Sequence, residues 1–575
     1  MPSRSGTVHV ATTTRKYKGR IYQSHLLRRT FRVGNQVKHE TLGNISHLPP
    51  ALIDIIRRSL AGETFLPASE TFRVLRSLPH GHVEAVLGTV RRLQLEPLLS
   101  SKPCRERDLV LAMLVQRLLN PASKLATTRL WHNSTLAEEL SVQDADEDEL
   151  YQALDWLLDR QASIEKKLTE RHLREGSEVL YDISSSYYEG RCCSLVRYGH
   201  NRDGKRDRPI IVYGVVTDTE GRPLSVEVYP GNTADATTVT GQVHKLRERF
   251  GLSRVVLVGD RGMLTDKQIA QLHQYPELGW ISALKSGAIR QLVEAGALQL
   301  SLFDQQNLVE IHTALYPGER LVACFNPLLA EERKRKREEL LQATETELEA
   351  ITQQVARRKK KILRKEEIAL KVGRVVNRFK MAKHFELTIE DGRFHAHRRE
   401  EEIRKESLLD GVYVIRTSEK ALSAPDTVRH YKNLTNVERA FRCWKGMDIR
   451  VRPIYLRTEE HVRAHIFLCL LAYYVEWHMR AALAPLLFEE EDLARVRQQR
   501  DPVAAAEPSA AVQIKKQRKQ TAEGFPVHSF PTLLQELATR CRNTCQVHAT
   551  KGAPTFEQVT QATPLQVRIF QYLGL

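Results

Sequence analysis

The feature that most constrains the fold is a block of alternating strand and helix patterns between residues 177 and 285. Apolar runs predict a strand at 179–183 and a hairpin at 210–218 and 223–229, with its turn at Glu220-Gly221. Further strands are predicted at 255–258 and 280–284, and helices at 237–250 and 265–273. The resulting order β-β-β-α-β-α-β predicts an α/β core.

Two aspartates are predicted to end strands of this block. Asp182 closes the first apolar run and Asp260 closes the fourth. An α/β sheet presents side chains to ligands at such strand ends. Gathered carboxylates are typical of sites that hold divalent metal ions against phosphate oxygens. The strand order is that of a ribonuclease-H-like core, which requires one more helix bearing an acid, and the block does not contain it.

The missing acid is predicted to be Glu438, on a helix over 427–445. Counted from Tyr431, residues 434, 438 and 445 fall at about −60°, −20° and −40° around a helix with roughly 100° per residue. Tyr431, Glu438 and Lys445 are therefore predicted to share one face. A solvated helix with a chance alignment of Glu438 and Lys445 is the alternative.

An inserted domain explains why Glu438 lies so far from Asp260. Strands are predicted near 308–311 and 320–325, then a long helical stretch over 328–382, and then strands at 385–389, 393–397 and 411–416. Heptad-like spacing, as between Leu341 and Leu348, predicts a solvated coiled-coil hairpin. A DNA-clamping arm is the alternative, because basic clusters occur at 333–337 and 357–361.

The predicted fold class is α/β: a ribonuclease-H-like core split by an inserted β-plus-helical-hairpin domain, preceded by a small β-meander and a helical N-terminal domain. The expected boundaries are a basic β-meander at 1–48 with possible DNA binding, a helical domain at 49–176, the first part of the core at 177–285, the insertion at 286–406, the second part of the core with the Glu438 helix at 407–482, and a linker and C-terminal tail at 483–575.

The charge balance predicts a polyanionic partner. The chain of 575 residues has 87 Lys and Arg against 70 Asp and Glu, a formal charge of +17. Nucleic acid is the commonest such partner, while ribosomal, membrane-surface and heparin-type partners remain open on charge alone. No apolar run reaches about 18 residues, and the N-terminus lacks the apolar region of a signal peptide. We therefore expect a soluble, cytoplasmic protein with no membrane partner.

Other residues near the predicted strands allow two readings each. Cys541, Cys545 and His548 resemble half of a zinc site, but no second half is found. The eight cysteines are scattered along the chain, so a reduced protein without disulfides is the simpler interpretation. Asp235 is expected to cap the helix that begins near residue 237. Trp280 and Trp444 are expected to be buried rather than to stack on a flipped base.

Together these residues resemble the DDE transposases of bacterial insertion sequences, in the superfamily numbered four and its group numbered sixteen-thirty-four. The hallmark helix of that superfamily, Tyr-x2-Arg-x3-Glu-x6-Lys, is matched here by Tyr431, Glu438 and Lys445. Leu434 replaces the motif arginine, so Arg439 or Arg442 is expected to supply its phosphate contact. The segments around Asp182 and Asp260 are similar to those of the family, and the resemblance covers about 177–480.

The resemblance implies a cut-and-paste enzyme that cleaves DNA at the element ends and transfers the freed 3′-hydroxyl to target DNA. Asp182, Asp260 and Glu438 would be the catalytic residues and would hold two Mg²⁺ ions, with Mn²⁺ as an alternative. Asp182 would bridge both ions. Tyr431, Lys445, Arg442 and Arg439 would bind DNA.

The implied partners are double-stranded DNA, as terminal inverted repeats and as target, and a second copy of the chain in a homodimeric synaptic complex. The implied location is the bacterial cytoplasm, at the nucleoid when the chain is bound to DNA. The alternatives are a catalytically inert DNA-binding protein derived from a transposase and a ribonuclease-H-like nuclease. Three retained acids near phosphate argue against the first, and the basic N-terminal module argues against the second.

Overall fold

The structure is a computed structural model that describes residues 6–63, 65, 72–205, 207–275, 277–299, 303, 307–358, 362–547 and 554–575. The chain forms two compact units. The first contains the residues up to Leu78 together with Cys541–Thr560, and the second contains Pro79–Arg540 and Gln561–Leu575.

The strands of the described residues are β1 Thr7–Tyr17, β2 Arg20–Val33, β3 Gln36–Asn44, β4 Phe72–Pro79, β5 Glu178–Tyr187, β6 Ile210–Thr217, β7 Pro223–Pro230, β8 Val255–Val258, β9 Leu278–Ala283, β10 Leu308–Ile311, β11 Arg320–Phe325, β12 Phe385–Glu390, β13 Arg393–Arg398, β14 Val412–Thr417, β15 Cys541–Val547 and β16 Thr555–Val559. The α-helices are α1 Pro50–Leu60, α2 Gly81–Arg92, α3 Leu95–Leu99, α4 Arg105–Leu119, α5 Lys124–Leu130, α6 Leu136–Glu139, α7 Glu147–His172, α8 Val239–His244, α9 Asp266–Leu272, α10 Ser286–Glu294, α11 Pro327–Arg357, α12 Lys365–Phe379, α13 Glu400–Ser407, α14 Ala424–Lys432, α15 Leu434–Lys445, α16 Glu459–Leu483, α17 Leu493–Gln499, α18 Ala510–Arg518, α19 Phe530–Ala538 and α20 Pro564–Leu573.

The first unit contains two small sheets. The strands β1, β2 and β3 form an antiparallel meander. Its turns use Gly19 and Gly34, whose φ angles of 75° and 60° lie in the left-handed region that glycine adopts without strain. The second sheet has the order β16-β15-β4. Its strands come from opposite ends of the chain, so no local pattern predicts that pairing.

The second unit is built around an eight-stranded sheet with the order β10-β11-β14-β9-β8-β5-β6-β7. The strands β5, β8 and β9 are parallel to one another, and the other neighbouring pairs are antiparallel. All eight residues of β6 and all six of β9 are buried. The central strands are therefore covered on both faces, which accounts for their nearly continuous apolar runs.

Helices cover both faces of this sheet. One face carries α15 on β5, and α16 packs on β7, α7 and α4. The opposite face is covered by an apolar cluster that includes residues of α8 and α9. Helix α7 begins with a capping box in which Asp146 and Glu149 bind each other's backbone N–H groups.

Helix α16 is more extensively apolar than the sequence pattern predicts. With its short extension it spans Glu459–Leu486, which is long and apolar enough to cross a membrane by length and composition. However, 72% of its most apolar window is buried inside the protein. Its apolar character is therefore explained by its position in the core of the second unit.

The helical stretch predicted over 328–382 forms two helices, α11 and α12. They pack against each other and share an apolar cluster with β12 and β13. Ile362, between the two helices, is 60% exposed. Residues 359–361 of the second basic cluster lie outside the described residues.

The C-terminal segment is not the linker and tail that its composition predicts. It contains α17, α18, α19, β15, β16 and α20, and Val503, Val512 and Ile569 are buried. Lys515 is also buried, and its ammonium donates to the carbonyl of Ala484 at 3.0 Å. The prediction was wrong because apolar residues of this segment outside β15 and β16, such as Phe530 and Ile569, belong to the main apolar core of the second unit.

Candidate functional site

Asp182 lies on β5, and Asp260 lies two residues beyond the end of the neighbouring parallel strand, β8. Leu180 of β5 pairs with Val258 of β8. Asp182 comes two residues after Leu180, and Asp260 comes two residues after Val258. Because side chains alternate along strands about 4.8 Å apart, the two carboxylates occupy equivalent positions. Asp182 lies within β5 rather than at its end, because buried serines at 184–186 continue the pairing with β6.

Asp182 is held in a partly buried position. Its Oδ1 accepts the N–H of Ile183 at 2.8 Å. Burial, together with the charges of Asp260 and Glu438, raises the pKa of Asp182 to about 7, and that N–H and Arg202 act in the opposite direction. The pKa of Asp182 thus reports that all three acids lie within electrostatic reach of one another.

Asp260 is oriented by the turn that follows β8. Its Oδ1 accepts the N–H groups of Gly262 and Met263 at 2.9 and 2.8 Å. The hydroxyl of Ser282, on β9, donates to the Asp260 carbonyl at 3.2 Å. The side chain is therefore fixed by its own turn and by the neighbouring strand.

The helix bearing Glu438 is shorter than predicted. The chain forms α14 and α15, separated by Asn433, whose carbonyl accepts the N–H of Asn436 three residues later and tightens the turn. Leu434, at the place of the motif arginine, is only 9% exposed and belongs to the main apolar core. A phosphate contact at position 434 is therefore excluded by its chemistry and its burial.

A cavity of about 720 Å³ brings the catalytic candidates together. Asp182, Asp260 and Glu438 line it, and so do Arg442 and Lys445. Glu438 and Arg442 are exposed on the surface of α15. We call this space the triad cavity.

Lys445 is held by a loop residue. Asp203 Oδ1 lies 3.0 Å from Lys445 Nζ, and the same oxygen binds the guanidinium of Arg452. Asp203 Oδ2 accepts the N–H of Tyr187, on β5, at 3.1 Å. Burial lowers the pKa of Lys445, and Asp203 partly offsets that effect.

A second ion pair lies in the wall of the triad cavity. Arg202 donates to Asp235 Oδ2 at 2.6 Å. Asp235 is therefore not the helix cap that the sequence predicts: it begins a short 3-10 helix, and its side chain faces Arg202. The cavity contains five acids, which are Asp182, Asp203, Asp235, Asp260 and Glu438.

Tyr431 is on α14, the helix that precedes the one bearing Glu438, and it lies close to the three acids. Burial, together with the charges of Asp260 and Glu438, raises the pKa of Tyr431 to about 12. Its hydroxyl therefore stays protonated at neutral pH and can act as a hydrogen-bond donor.

Arg439 is directed away from the triad cavity. It pairs with Glu489 at 2.6 Å, and Glu489 also binds Arg480 at 2.5 Å. Arg480 in turn binds Glu476 and Asp448 at 2.6 and 3.1 Å. Of the two arginines expected to replace the motif arginine, Arg442 lines the cavity and Arg439 belongs to this ion-pair network.

In the part of the chain that the structure describes, a compact group of three potential metal ligands forms at Cys443, Asp448 and Glu476. The Arg480 guanidinium already neutralises the two acids of this group. Burial raises the pKa of Glu476 to about 7 and that of Cys443 to about 12. The group is therefore a buried ion-pair centre.

The donor set of the triad cavity fits hard divalent cations. It offers carboxylate oxygens on rigid elements, and no cysteine lines it among the described residues. A bound cation would also favour the charged form of Asp182, whose pKa is raised by burial and, to a smaller extent, by the charges of Asp260 and Glu438.

Arg202, Asp203 and Arg452 form ion pairs in the cavity wall, and sequence reasoning gave none of them a role. Arg202 and Asp203 lie in the Gly-His-Asn-Arg-Asp-Gly segment at 199–204. No local sequence pattern indicates a role for Arg452, because it lies in an irregular segment after the motif helix. Trp280 and Trp444 are 1% and 0% exposed, as expected for buried aromatics.

Comparison with known families gives two matches. Residues 194–475 match the family described as transposase DDE domain. Residues 10–68 match the family described as IS1634 family transposase, N-terminal domain. A comparison with curated proteins gave no match.

Proposed function

The chain belongs to the DDE transposases of bacterial insertion sequences, in the IS1634 group, and from this premise we propose that it catalyses cut-and-paste transposition. It cleaves DNA at the ends of the insertion sequence and transfers the new 3′-hydroxyl ends to target DNA. The observation that carries this proposal is the convergence of Asp182, Asp260 and Glu438 on one cavity.

We assign the central sheet to a ribonuclease-H-like core. Support comes from the order β7-β6-β5-β8-β9, in which β5, β8 and β9 are parallel and β6 is antiparallel to β5. The segment 286–406 is then an insertion into this core. The β-meander at 1–48 and the helical domain at 49–176 precede the core in the chain. The second part of the core, 407–482, supplies Glu438.

In the proposed mechanism, Asp182, Asp260 and Glu438 would hold two Mg²⁺ ions, or Mn²⁺ in their place. These ions would supply Lewis-acid stabilisation of the attacking and leaving oxygens. The backbone hydrogen bonds of Asp182 and Asp260 keep both carboxylates in position before DNA arrives.

Cationic and phenolic groups around the acids position the phosphodiester. Lys445 and Arg442 contact phosphate oxygens through charge and N–H donors, and Tyr431 donates its hydroxyl. Arg439 is not part of this assignment, because Glu489 engages it on the other side of α15.

The proposed partners are the terminal inverted repeats, the target DNA and a second copy of the chain. A homodimer is expected because two element ends must be joined in one synaptic complex. The net charge of +17 supports contact with DNA over a large surface. We place the enzyme in the cytoplasm, at the nucleoid when it is bound to DNA.

A cleavage assay tests the proposal. Linear DNA carrying the inverted repeats that flank the gene is incubated with Mg²⁺ and with the wild type, Asp182→Asn or Glu438→Gln. We expect end cleavage and strand transfer by the wild type, a loss of at least a thousandfold in each variant, and DNA binding by all three. The exposed variant Asp207→Asn should cleave normally.

The alternatives give different outcomes of the same assay. Binding without cleavage by the wild type would support an inert DNA-binding protein. Cleavage that ignores the inverted repeats and yields no strand transfer would support a general nuclease. Either result would refute cut-and-paste transposition.

A further inference from the structure

A second cavity, of about 300 Å³, adjoins the triad cavity. Arg452 lines both spaces. The second cavity also receives Arg117 and Lys124, from the helical region, and reaches the surface at Tyr455, which is 57% exposed. No Asp or Glu lines it among the described residues. We call it the Arg117–Lys124 pocket.

Arg117 brings a buried positive charge into this pocket. It lies near the end of α4 and is only 7% exposed. Its guanidinium donates to two backbone carbonyls, those of Ala122 at 3.2 Å and Arg450 at 3.5 Å. Burial lowers the pKa of Arg117, and no carboxylate lies close enough to form an ion pair with it within the described chain.

Lys124 brings a second buried cation that lacks a partner. It is 5% exposed, and in the described part of the structure its ammonium forms neither a hydrogen bond nor an ion pair. Burial, together with the charge of Arg117, lowers the pKa of Lys124 to about 7. A basic group that gains an anionic partner regains its charge, so an anion would stabilise protonated Lys124.

The neighbouring side chains do not compensate these charges. His465 Nε2 donates to the carbonyl of Val451 at 3.1 Å, and burial lowers the pKa of His465 well below its usual value, so its ring stays neutral. At the rim, the hydroxyl of Tyr455 donates to Glu189 at 2.8 Å, and Glu189 does not line the pocket. Two buried cations without a counterion are costly.

We propose that the Arg117–Lys124 pocket binds a phosphate group of the DNA backbone, next to the phosphodiester held in the triad cavity. This inference rests on the proposed function. Phosphate supplies the missing negative charge, and its oxygens accept from both a guanidinium and an ammonium. DNA is favoured over a free anion because Arg452 joins the pocket to the triad cavity, so one strand can reach both.

A phosphate bound in the pocket would contact both the helical region and the catalytic core. Arg117 and Lys124 come from helices before β5, whereas Arg452 follows the motif helix. A phosphate bound here would tie these two regions to one strand and fix the position of the neighbouring phosphodiester against the three acids.

A scan with uncharged phosphate analogues tests the inference. Element-end DNA is prepared with a single methylphosphonate at each position near the cleavage point, and affinity is measured in Ca²⁺ so that no cleavage is required. At one position, the methylphosphonate should lower the affinity of the wild type for DNA about tenfold. At that position it should not lower the affinity of Lys124→Met, because this variant already lacks the contact with the phosphate. Lys166→Met, an exposed lysine variant on α7, should respond like the wild type.

Stability measurements separate a phosphate site from a structural role. Lys124→Met removes an uncompensated buried charge, so the free variant should melt at or above the wild-type temperature. Inorganic phosphate should raise the melting temperature of the wild type more than that of Lys124→Met. A variant that melts well below the wild type and ignores phosphate would assign Lys124 to packing and overturn the inference.

The remaining outcomes are also decisive. Stabilisation by inorganic phosphate without any methylphosphonate position coupled to Lys124 would show a free-anion site and refute the DNA assignment. A coupled position in a protein that never cleaves DNA would uphold the pocket while the proposed catalysis fails. The two proposals are therefore separable.

Discussion

Asp203 binds Lys445, the last residue of the motif helix, at 3.0 Å and shares the same oxygen with Arg452. The Asp203 side chain is 1% exposed, so one buried carboxylate neutralises two cations of the triad cavity. This arrangement holds Lys445 beside the acids before any phosphate is present. It also connects the loop after β5 to the helix that bears Glu438.

Asp203→Ala should destabilise the protein strongly. Removing the carboxylate leaves Lys445 and Arg452 without their shared partner, so we expect the free energy of unfolding to fall by about 3 kcal/mol. Urea denaturation measures this change. Asp207→Ala, in the same loop but 81% exposed at its side chain, should stay within about 0.5 kcal/mol of the wild type. Equal stability of the two variants would contradict the role given to Asp203.

The two arginines of α15 should have opposite effects. Arg442→Ala should leave the free energy of unfolding within about 0.5 kcal/mol of the wild type, because the residue is exposed. The same variant should bind DNA more weakly, and the slope of log affinity against log salt concentration should fall by about one. Arg439→Ala should lower stability by about 1 kcal/mol through loss of the pair with Glu489 and should bind DNA normally. Filter binding at several salt concentrations, together with urea denaturation, distinguishes the pair. The reverse pattern would exchange the two assignments.

Asp182 should make the metal-free protein less stable as the pH rises. The pKa of Asp182 is about 7 in the folded chain, against about 3.9 when unfolded. The folded state therefore binds the proton more tightly, and its stability decreases from about pH 4 to pH 7 and stays low above that. In EDTA, Asp182→Asn should melt several degrees above the wild type at pH 8 and close to it at pH 4. A gain of equal size at both pH values would show that the charge of Asp182 is not its cause.

A buried ion pair should secure helix α7 to the sheet. Glu165 is fully buried; its Oε2 lies 2.8 Å from Lys245 Nζ, and its Oε1 accepts the N–H of Val226 at 3.0 Å. Lys245→Met should lower the free energy of unfolding by about 3 kcal/mol, because it leaves the carboxylate without its closest cation. The double variant with Glu165→Gln should recover much of this loss, whereas exposed Lys267→Met should change little. Additive losses in the double variant would argue against coupling.

Local patterns predicted the parts of the fold that depend on local chemistry. The strands around Asp182 and Asp260 follow from their apolar runs, and the turns at Gly19 and Gly34 follow from a backbone conformation that glycine adopts easily. The register that places the two aspartates side by side is not local. It depends on the pairing of Leu180 with Val258, which the sequence alone does not specify.

The rest of the site could not be read from the sequence because its contacts join distant segments. Asp203 and Lys445 lie far apart in the chain, so neither residue indicates the other. The helix break at Asn433 was missed because residues on both sides favour a helix. Arg439 and Arg442 differ only in the direction they face around α15, and that depends on what the helix packs against.

The pairing of β11 with β14 bears on how the length of this chain can vary. Phe325 and Val412 are opposite each other, so the chain leaves the sheet after β11 and re-enters it at an adjacent point. The entropy of closing a loop grows only slowly with its length. The helical hairpin of α11 and α12 could therefore be shortened or extended over many generations without displacing Glu438. Related elements should differ most in size here and least in the spacing between the two aspartates.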